Sequence, residues 1–487
     1  MRIGVDLDNT LICYNRAFLS AAQQSGLVPP GWEGSKREIR KYLREKEGGE
    51  IAWQSLQRKV YGRQLHHAQL FPGAERFLWR CKQLGLEVEV VSHKTEYGHV
   101  DGQKIPLRDV AMKFLEQSGI YSTDEVTLLN EIQFCSTREE KIRCIATKKF
   151  DWFIDDLEEI FESKEFPEDT KQILFVEDNV LRSTVTTQAN RWEEIESMIL
   201  GKWSKLELLA LASDLSSEEV KSVTLLEGGG NSRIARVDFT NGSRAALKFY
   251  ADDEVHNRLY SEFQGSELIH KLGILQIPRP IGCCRKRNVA MYQWIEGKPI
   301  TGPDWDCFDQ ALKFLENIHA LREIEHFSSF PNASAAVFCG QDLEFQLRDR
   351  FSALQGNAVP SVALERFLDE ELGPSIEMVV SRSRSEWPKE TGYDQPLPRH
   401  HRTLSPSDFG FHNALQAADG TLIFLDFEFF GWDDPAKLVG DFIFHPGMHL
   451  SENEKKLWIH EATLIYGTGM LRRMQNLWPM LGLCWCL

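Results

Sequence analysis

The chain has 487 residues, 42% of them hydrophobic and 26% charged, with a formal net charge of −16. That length suits two or three domains better than a single core. Residues 1–200 carry 27 Lys+Arg against 33 Asp+Glu and the remainder 29 against 39, so both halves are acidic and neither nucleic acid nor an anionic membrane is an expected partner.

No apolar run approaches the roughly 18 residues of a membrane span. A strand-like run already begins at Ile3, which leaves no room for a signal peptide, and a cytoplasmic protein is expected. Cysteines stand at 13, 81, 135, 144, 283, 284, 307, 339, 484 and 486, with no C-x-x-C pair, so reduced thiols are expected and zinc is not. The C-x-C of Cys484 and Cys486 is too short for an unstrained disulfide.

In chain order, Ile3-Gly-Val5 leads into Asp6-Leu-Asp8-Asn-Thr10, two carboxylates and a hydroxyl just past an apolar run. By itself this pattern also fits a solvated turn. Between Asn15 and Gln69 lies an insert rich in long polar side chains, in which Ser35 and Glu38 make a capping box for a helix running towards Gly48. Lys36, Arg37, Arg40, Lys41, Arg44 and Lys46 on that helix fit a solvated face or an anion-reading one. Further apolar runs end at Val91-Ser92, at Ile154-Asp155-Asp156 and at Val176, alternating with helix-like stretches. That alternation predicts a parallel α/β sheet whose ligands bind at the carboxyl ends of the strands. Asp155 and Asp156 also fit a helix N-cap pair.

The ordered set of Asp6/Asp8/Thr10, Ser92, Lys141 and Asp155/Asp156 resembles the haloacid dehalogenase-like phosphatases. The resemblance covers residues 1 to about 195, with the insert at about 15–70 in the position of that family's helical cap. It implies a Rossmann-like parallel sheet and an aspartyl-phosphate mechanism. Asp6 is then the nucleophile, and Asp8 protonates the leaving oxygen and activates water. Thr10, Ser92 and Lys141 bind the phosphoryl oxygens, with Lys148 and Lys149 as alternatives to Lys141. Asp6, the Asp8 backbone carbonyl, Asp155 and Asp156 hold Mg²⁺.

From Trp192 to Val223 the pattern is helical and polar, and residues 196–222 read as a linker. Beyond it, Gly228-Gly229-Gly230 makes a glycine-rich turn between two strand-like segments, and Lys248 sits among apolar neighbours in another strand. Asp408-Phe-Gly-Phe-His412-Asn413, followed by the apolar Leu422–Leu425 and then Asp426, places an acid, an amide five residues on and a second acid closing a strand. Residues 223–487 thereby resemble the aminoglycoside phosphotransferase and choline kinase group. The implied fold is a two-lobed α+β kinase-like domain. ATP, or another nucleoside triphosphate, would be held by Gly228, Gly229, Gly230, Lys248 paired with Glu262, and a hinge at Gln293 and Trp294. Asp408 would be the base, with Asn413 and Asp426 on Mg²⁺. Pro406 departs from the family, which has histidine two positions before the catalytic acid.

The expectation is therefore an α/β chain with two activities, hydrolysis of a phosphate ester and phosphorylation of a small-molecule hydroxyl on a sugar or amino alcohol. The alternative is that one half binds or regulates without turnover. Nothing in the sequence fixes either substrate or the oligomeric state.

Overall fold

A computed structural model describes the chain apart from residues 30, 33, 63, 101–102, 123–126, 177–186, 227–232, 252–255, 358–360 and 388–391. The glycines expected at 228, 229 and 230 lie outside the described residues. The chain divides into two compact units, one of Met1–Leu211 with Arg285–Asn288, the other of Ala212–Cys284 with Val289–Leu487.

The first unit is built on six parallel strands. Their spatial order is Thr187–Ala189, Lys171–Phe175, Trp152–Asp155, Arg2–Val5, Glu87–His93 and Glu131–Cys135. Ile3, Val5, Val88, Val90, Val91, Phe153, Ile154 and Ile173 are fully buried, as expected of strands covered on both faces. At Gly4 a Cβ would stand 2.4 Å from the Phe153 ring, so only glycine lets these two strands lie together there. The strand order runs outward in both directions from Arg2–Val5 and its neighbour Trp152–Asp155. The crevice beyond the carboxyl ends of this central pair is where ligands of such sheets bind.

Ile12–Cys13 pairs with Gln69–Leu70, and this short antiparallel stem brackets the insert. The insert folds as helices Asn15–Gln24, Lys36–Arg44 and Gly49–Gly62, the second opened by the Ser35/Glu38 capping box. Ile39, Leu43, Trp53, Leu56 and Val60 join the apolar cluster that contains Ile3 and Val5, so the insert is packed onto the core.

Segment 196–222 is ordered secondary structure, with helices Trp192–Leu200 and Lys205–Leu215 leading to strand Val220–Leu225. Its polar residues are partly internal. Arg80 reaches Glu196 at 2.9 Å and Glu207 at 2.6 Å, and Arg76 reaches Glu196 at 2.8 Å, all four side chains being buried.

The second unit begins with an antiparallel sheet in the order Val220–Leu225, Arg233–Phe239, Arg244–Phe249, Val289–Gln293, Pro280–Cys284. Helix Arg258–Lys271 packs on it. The remainder is mostly helical, around an aromatic core in which Phe442 stacks on Trp458 at 3.6 Å and Phe314 lies against Phe424 at 4.6 Å. Two small antiparallel sheets interrupt the helices, Thr403–Ser405 with Gly431–Asp433, and Lys298–Pro299 with Ala414–Gln416 and Leu422–Phe424. The last helix, Thr468–Cys486, buries Met470, Met474, Leu477, Met480, Leu481 and Cys484. The cysteines are free thiols, and among the described residues no helix is long and apolar enough to cross a membrane.

Candidate active sites

In the first unit, Asp6 follows strand Arg2–Val5, while Asp155 ends the neighbouring strand and Asp156 follows it. One ligand oxygen from each lies within 4.8 Å of the others. Lys141, in the first turn of helix Arg138–Lys148, reaches Asp6 and Asp155, each at 2.6 Å, and its side chain is 1% exposed. Lys148, two turns further along, pairs instead with Glu89 at 2.5 Å and Glu131 at 2.7 Å, and Lys149 is the left-handed C-cap. The geometry thus singles out Lys141. Asp155 accepts the Leu157 N–H at 3.0 Å, and the N-cap of the following helix is Leu157, so Asp156 does not cap it.

Crowding of acids in a buried place shifts their titration. Burial, opposed by Lys141 and reinforced by Asp155 and Asp8, pushes the Asp6 carboxyl up to about 7. Asp156 is also raised, by burial and then by Asp6 and Asp155. Three carboxylates sharing one ammonium suit a divalent cation, whose charge offsets their repulsion. The hydroxyls of Thr10 and Ser92 are fully buried and hydrogen-bonded to nothing among the described residues, the condition of donors that await a ligand.

Asp8 belongs to a different set of contacts. Lys94 donates to its two oxygens at 2.9 and 2.7 Å, and the Tyr14 hydroxyl donates a short hydrogen bond to it. Burial alone would raise the Asp8 carboxyl, but the charge and hydrogen bond of Lys94 and the bond from Tyr14 bring it below the ordinary aspartate range. Asn9, with φ +61°, donates to Asp156 at 3.2 Å and accepts from Lys36 at 2.6 Å. Sequence reasoning passed over Lys94, Tyr14 and Tyr61, whose hydroxyl accepts from Lys36 at 3.0 Å, and saw Lys36 only as part of a basic helix. Lys94 carried a legible signal, since it lies two residues after Ser92 and therefore on the same side of the chain.

In the second unit, Lys248 on strand Arg244–Phe249 reaches Glu262 of helix Arg258–Lys271 at 2.7 Å, Asp426 at 2.5 Å and Glu428 at 3.5 Å. Burial lowers the lysine's proton affinity, but Glu262, Asp426 and Glu428 outweigh it, so Lys248 stays an ammonium. Tyr250 donates to Glu262 at 2.9 Å and shares a hydrogen bond with Tyr292 at 2.8 Å, while Arg258 holds Glu428 at 3.1 Å. Glu428, which sequence reasoning missed, lies two residues past Asp426, and its ligand oxygen falls within 4.8 Å of those of Asp426 and Glu262.

The loop after strand Thr403–Ser405 carries Asp408. The Asn413 side-chain amide donates to the Asp408 carbonyl at 2.9 Å and to its carboxylate at 3.1 Å, which leaves the amide oxygen for a cation. His412 Nε2 lies 3.0 Å from the same carboxylate and stacks on His445 at 3.7 Å. Burial would raise the Asp408 carboxyl, yet His412, His445 and Asn413 hold it below the usual range. At Pro406 the carbonyl accepts the Asp408 N–H at 3.1 Å, so the loop closes without a histidine there. The Gln293 and Trp294 N–H groups donate to the carbonyls of Arg279 and Arg244.

The C-terminal part of the chain is similar to the phosphotransferases. Residues 222–443, a little under half of the chain, match the model of the family described as "Phosphotransferase enzyme family". No curated protein matches the chain. Among solved structures, a spectinomycin phosphotransferase in complex with ADP and spectinomycin is similar at 14% identity and a TM-score of 0.37, over 56% of this chain and 90% of that one. A choline kinase from Cryptosporidium parvum is similar at 10% identity and a TM-score of 0.39, over 57% and 85%. A choline kinase from Streptococcus pneumoniae is similar at 17% identity and a TM-score of 0.36, over 59% and 90%.

Proposed function

We propose that the chain is a bifunctional enzyme, a phosphomonoesterase in its N-terminal part and an ATP-dependent kinase of a small-molecule hydroxyl in its C-terminal part. The first reading assigns residues 1–195 to the haloacid dehalogenase-like phosphatases. The observation that carries it is the set of buried Asp6, Asp155 and Lys141 with half-buried Asp156 at the carboxyl ends of the two central strands, with the unbonded hydroxyls of Thr10 and Ser92. Asp6 attacks phosphorus, a new Oδ–P bond forms, and the ester P–O bond breaks. The departing oxygen takes a proton that the Lys94 ammonium passes through Asp8, leaving Lys94 neutral until the proton that Asp8 next takes from water restores its charge. Asp8, as a carboxylate, then takes a proton from the water that splits the aspartyl-phosphate. Thr10, Ser92 and Lys141 donate to the phosphoryl oxygens throughout. Bound by Asp6, the Asp8 carbonyl, Asp155 and Asp156, Mg²⁺ would supply Lewis-acid charge to the phosphoryl group.

In the kinase half, Lys248, oriented by Glu262, binds the donor phosphates, and Asp408 accepts the acceptor hydroxyl's proton as phosphorus is transferred. Asn413 and Asp426 would hold Mg²⁺ there. The family resemblance points to an acceptor hydroxyl on a sugar or amino alcohol.

The test is to separate the two activities in one full-length chain. Asp6→Asn should remove ester hydrolysis and leave ATP-dependent phosphorylation, and Asp426→Ala should do the reverse. Loss of both activities in either variant, or of neither, overturns the two-site reading.

A further inference from the structure

We infer that His412 is the positioning residue of Asp408, fixing the carboxylate that takes the acceptor's proton, and that a column of rings running back to the last helix holds His412 in turn. This rests on the kinase reading above, which makes Asp408 the base.

The loop gives Asp408 two side-chain donors, one for each oxygen. His412 Nε2 lies 3.0 Å from Oδ1, and the Asn413 amide donates to Oδ2 at 3.1 Å. An ionised carboxylate can only accept, so His412 bonds it through Nε2–H. Pro406, two residues before Asp408, contributes a backbone carbonyl and has no side-chain donor. With a donor on each oxygen the carboxylate is kept from turning about its Cβ–Cγ bond. Each oxygen still has a second lone pair for the acceptor hydroxyl.

His412 is itself held from behind. Its ring stacks on that of His445, with centres 3.7 Å apart and planes 8° from parallel. His445 is the C-cap of helix Pro435–Phe444, and its Nδ1 accepts the Gly447 N–H at 3.1 Å. Trp485 of helix Thr468–Cys486 meets the His445 ring edge-on at 4.9 Å, and its indole N–H donates to Asp441 at 2.8 Å. At Gly410 a Cβ would come within 2.7 Å of His412 Nδ1, so the ring closes over the loop where the chain has no side chain.

Ligand atoms of Asp408, His412 and His445 lie within 4.8 Å of one another, a spacing that also fits a cation. The rings argue against one. Two parallel imidazoles cannot aim their in-plane lone pairs at a single ion, and the bond from Gly447 leaves the ring proton of His445 on Nε2. A donor on a base has two opposed effects, since it weakens the base and fixes its place. Phosphoryl transfer depends mainly on positioning, so the loss of the donor should slow the reaction rather than speed it.

The experiment uses the full-length chain with magnesium-ATP, and with water, ethanolamine and glucose as acceptor probes. His412→Phe keeps a ring against His445 and loses the donor, whereas His412→Gln keeps an N–H in reach of Asp408 and loses the ring. His412→Phe should lower kcat by about tenfold or more on every probe that turns over, with the calorimetric Kd for magnesium-ATP near the wild-type value. His412→Gln should be clearly faster than His412→Phe. Trp485→Leu should lower kcat by less, and should add nothing in the His412→Gln chain, which has no ring for the column to hold. NMR of the chain carrying 15N-labelled histidine should show a protonated Nε2 in the signal that His412→Phe removes. Native kcat in His412→Phe, equal kcat in the two His412 variants, or an unprotonated Nε2 overturns the inference and leaves the kinase reading. A wild-type chain that binds no magnesium-ATP and turns over no probe rejects the kinase reading and this inference with it, and a protonated Nε2 then marks a structural bond only.

Discussion

The Lys94 ammonium donates to both carboxylate oxygens of Asp8, at 2.9 and 2.7 Å, and so keeps Asp8 ionised inside a buried site. Asp6, two residues earlier, is bound at 2.6 Å by a different lysine, Lys141. Two carboxylates of one short segment are thus given separate cations and opposite shifts, Asp8 lowered and Asp6 raised. Divergent environments of this kind are how paired acids take different roles in one reaction.

Removing Lys94 should therefore act on Asp8 first. Lys94→Met leaves the half-buried Asp8 carboxylate with its bond from Tyr14 but without its adjacent cation. Ester hydrolysis is expected to fall by about a hundredfold or more, the usual scale for a disabled acid–base group. Lys94→Arg should recover part of the rate because it restores the charge. Steady-state kinetics of both variants checks this, and a Lys94→Met chain as active as the wild type would reduce the pair to scaffolding.

Much of the first site could be read from the sequence because its acids sit where apolar runs end, and an apolar run followed by acids marks a strand's carboxyl edge. The choice between Lys141 and Lys148 could not, for a geometric reason. Seven residues span two helical turns, so both project from the same face of helix Arg138–Lys148. Only the direction of the helix along the sheet decides that Lys141 lies at the acidic edge and Lys148 among Glu89 and Glu131. Lys36 was equally hidden, since its place depends on how the insert packs on the core. In the second unit, Asp426 comes to Lys248 and Glu262 from a segment far along the chain, and motif order carried that information. The polar segment 196–222 read as a linker because Glu196 and Glu207 look solvated until Arg76 and Arg80, more than a hundred residues earlier, are brought against them.

That buried charge network has a cost if halved. Glu207→Gln leaves Arg80 with Glu196 and the carbonyls of Gly201 and Lys202, but without its 2.6 Å partner. Removing one member of a buried pair is expected to destabilise the N-terminal unit by about 3–5 kcal/mol. Denaturant unfolding followed by tryptophan fluorescence checks it, because Trp203 lies against Arg80 at 4.4 Å and reports on this region.

A pH effect is expected at Glu344 in the second unit. Burial pushes its carboxyl up, but bonds from Arg348, Arg384 and Tyr393 more than reverse this, leaving it below the ordinary glutamate value of 4.5. A carboxyl lowered on folding contributes stability that is present above its unfolded value and lost as pH falls through the folded one. Because both arginines are substantially exposed, the contribution is at most about 1 kcal/mol. The stability gap between wild type and Glu344→Gln should therefore close as the medium is acidified below that range. A gap that stays constant from neutral to acid pH rules out ionic bonding as its source.

The last expectation separates the two acids that the proposed kinase reading uses. Asp426 touches Lys248 at 2.5 Å and shares a cluster with Glu262 and Glu428, whereas Asp408 is bound by Asn413 and His412 on its own loop. Phosphoryl transfer depends mainly on positioning and charge neutralisation, so a group that holds cation and donor phosphates affects every acceptor alike. Asp426→Ala should weaken binding of magnesium-ATP and reduce transfer to all acceptors. It also removes one acid from Lys248, so Asp426→Asn serves as the variant that keeps the shape. Asp408→Asn should bind the nucleotide nearly as the wild type does, since its loop can keep the Asn413 contact to the backbone carbonyl at 2.9 Å. Its transfer rate should fall by about a hundredfold or more, because the hydroxyl proton has lost its acceptor. Calorimetry with magnesium-ATP beside a transfer assay reads both quantities. If Asp408→Asn transfers at the native rate, the base is another group, and His412, 3.0 Å from Asp408, is the next to substitute.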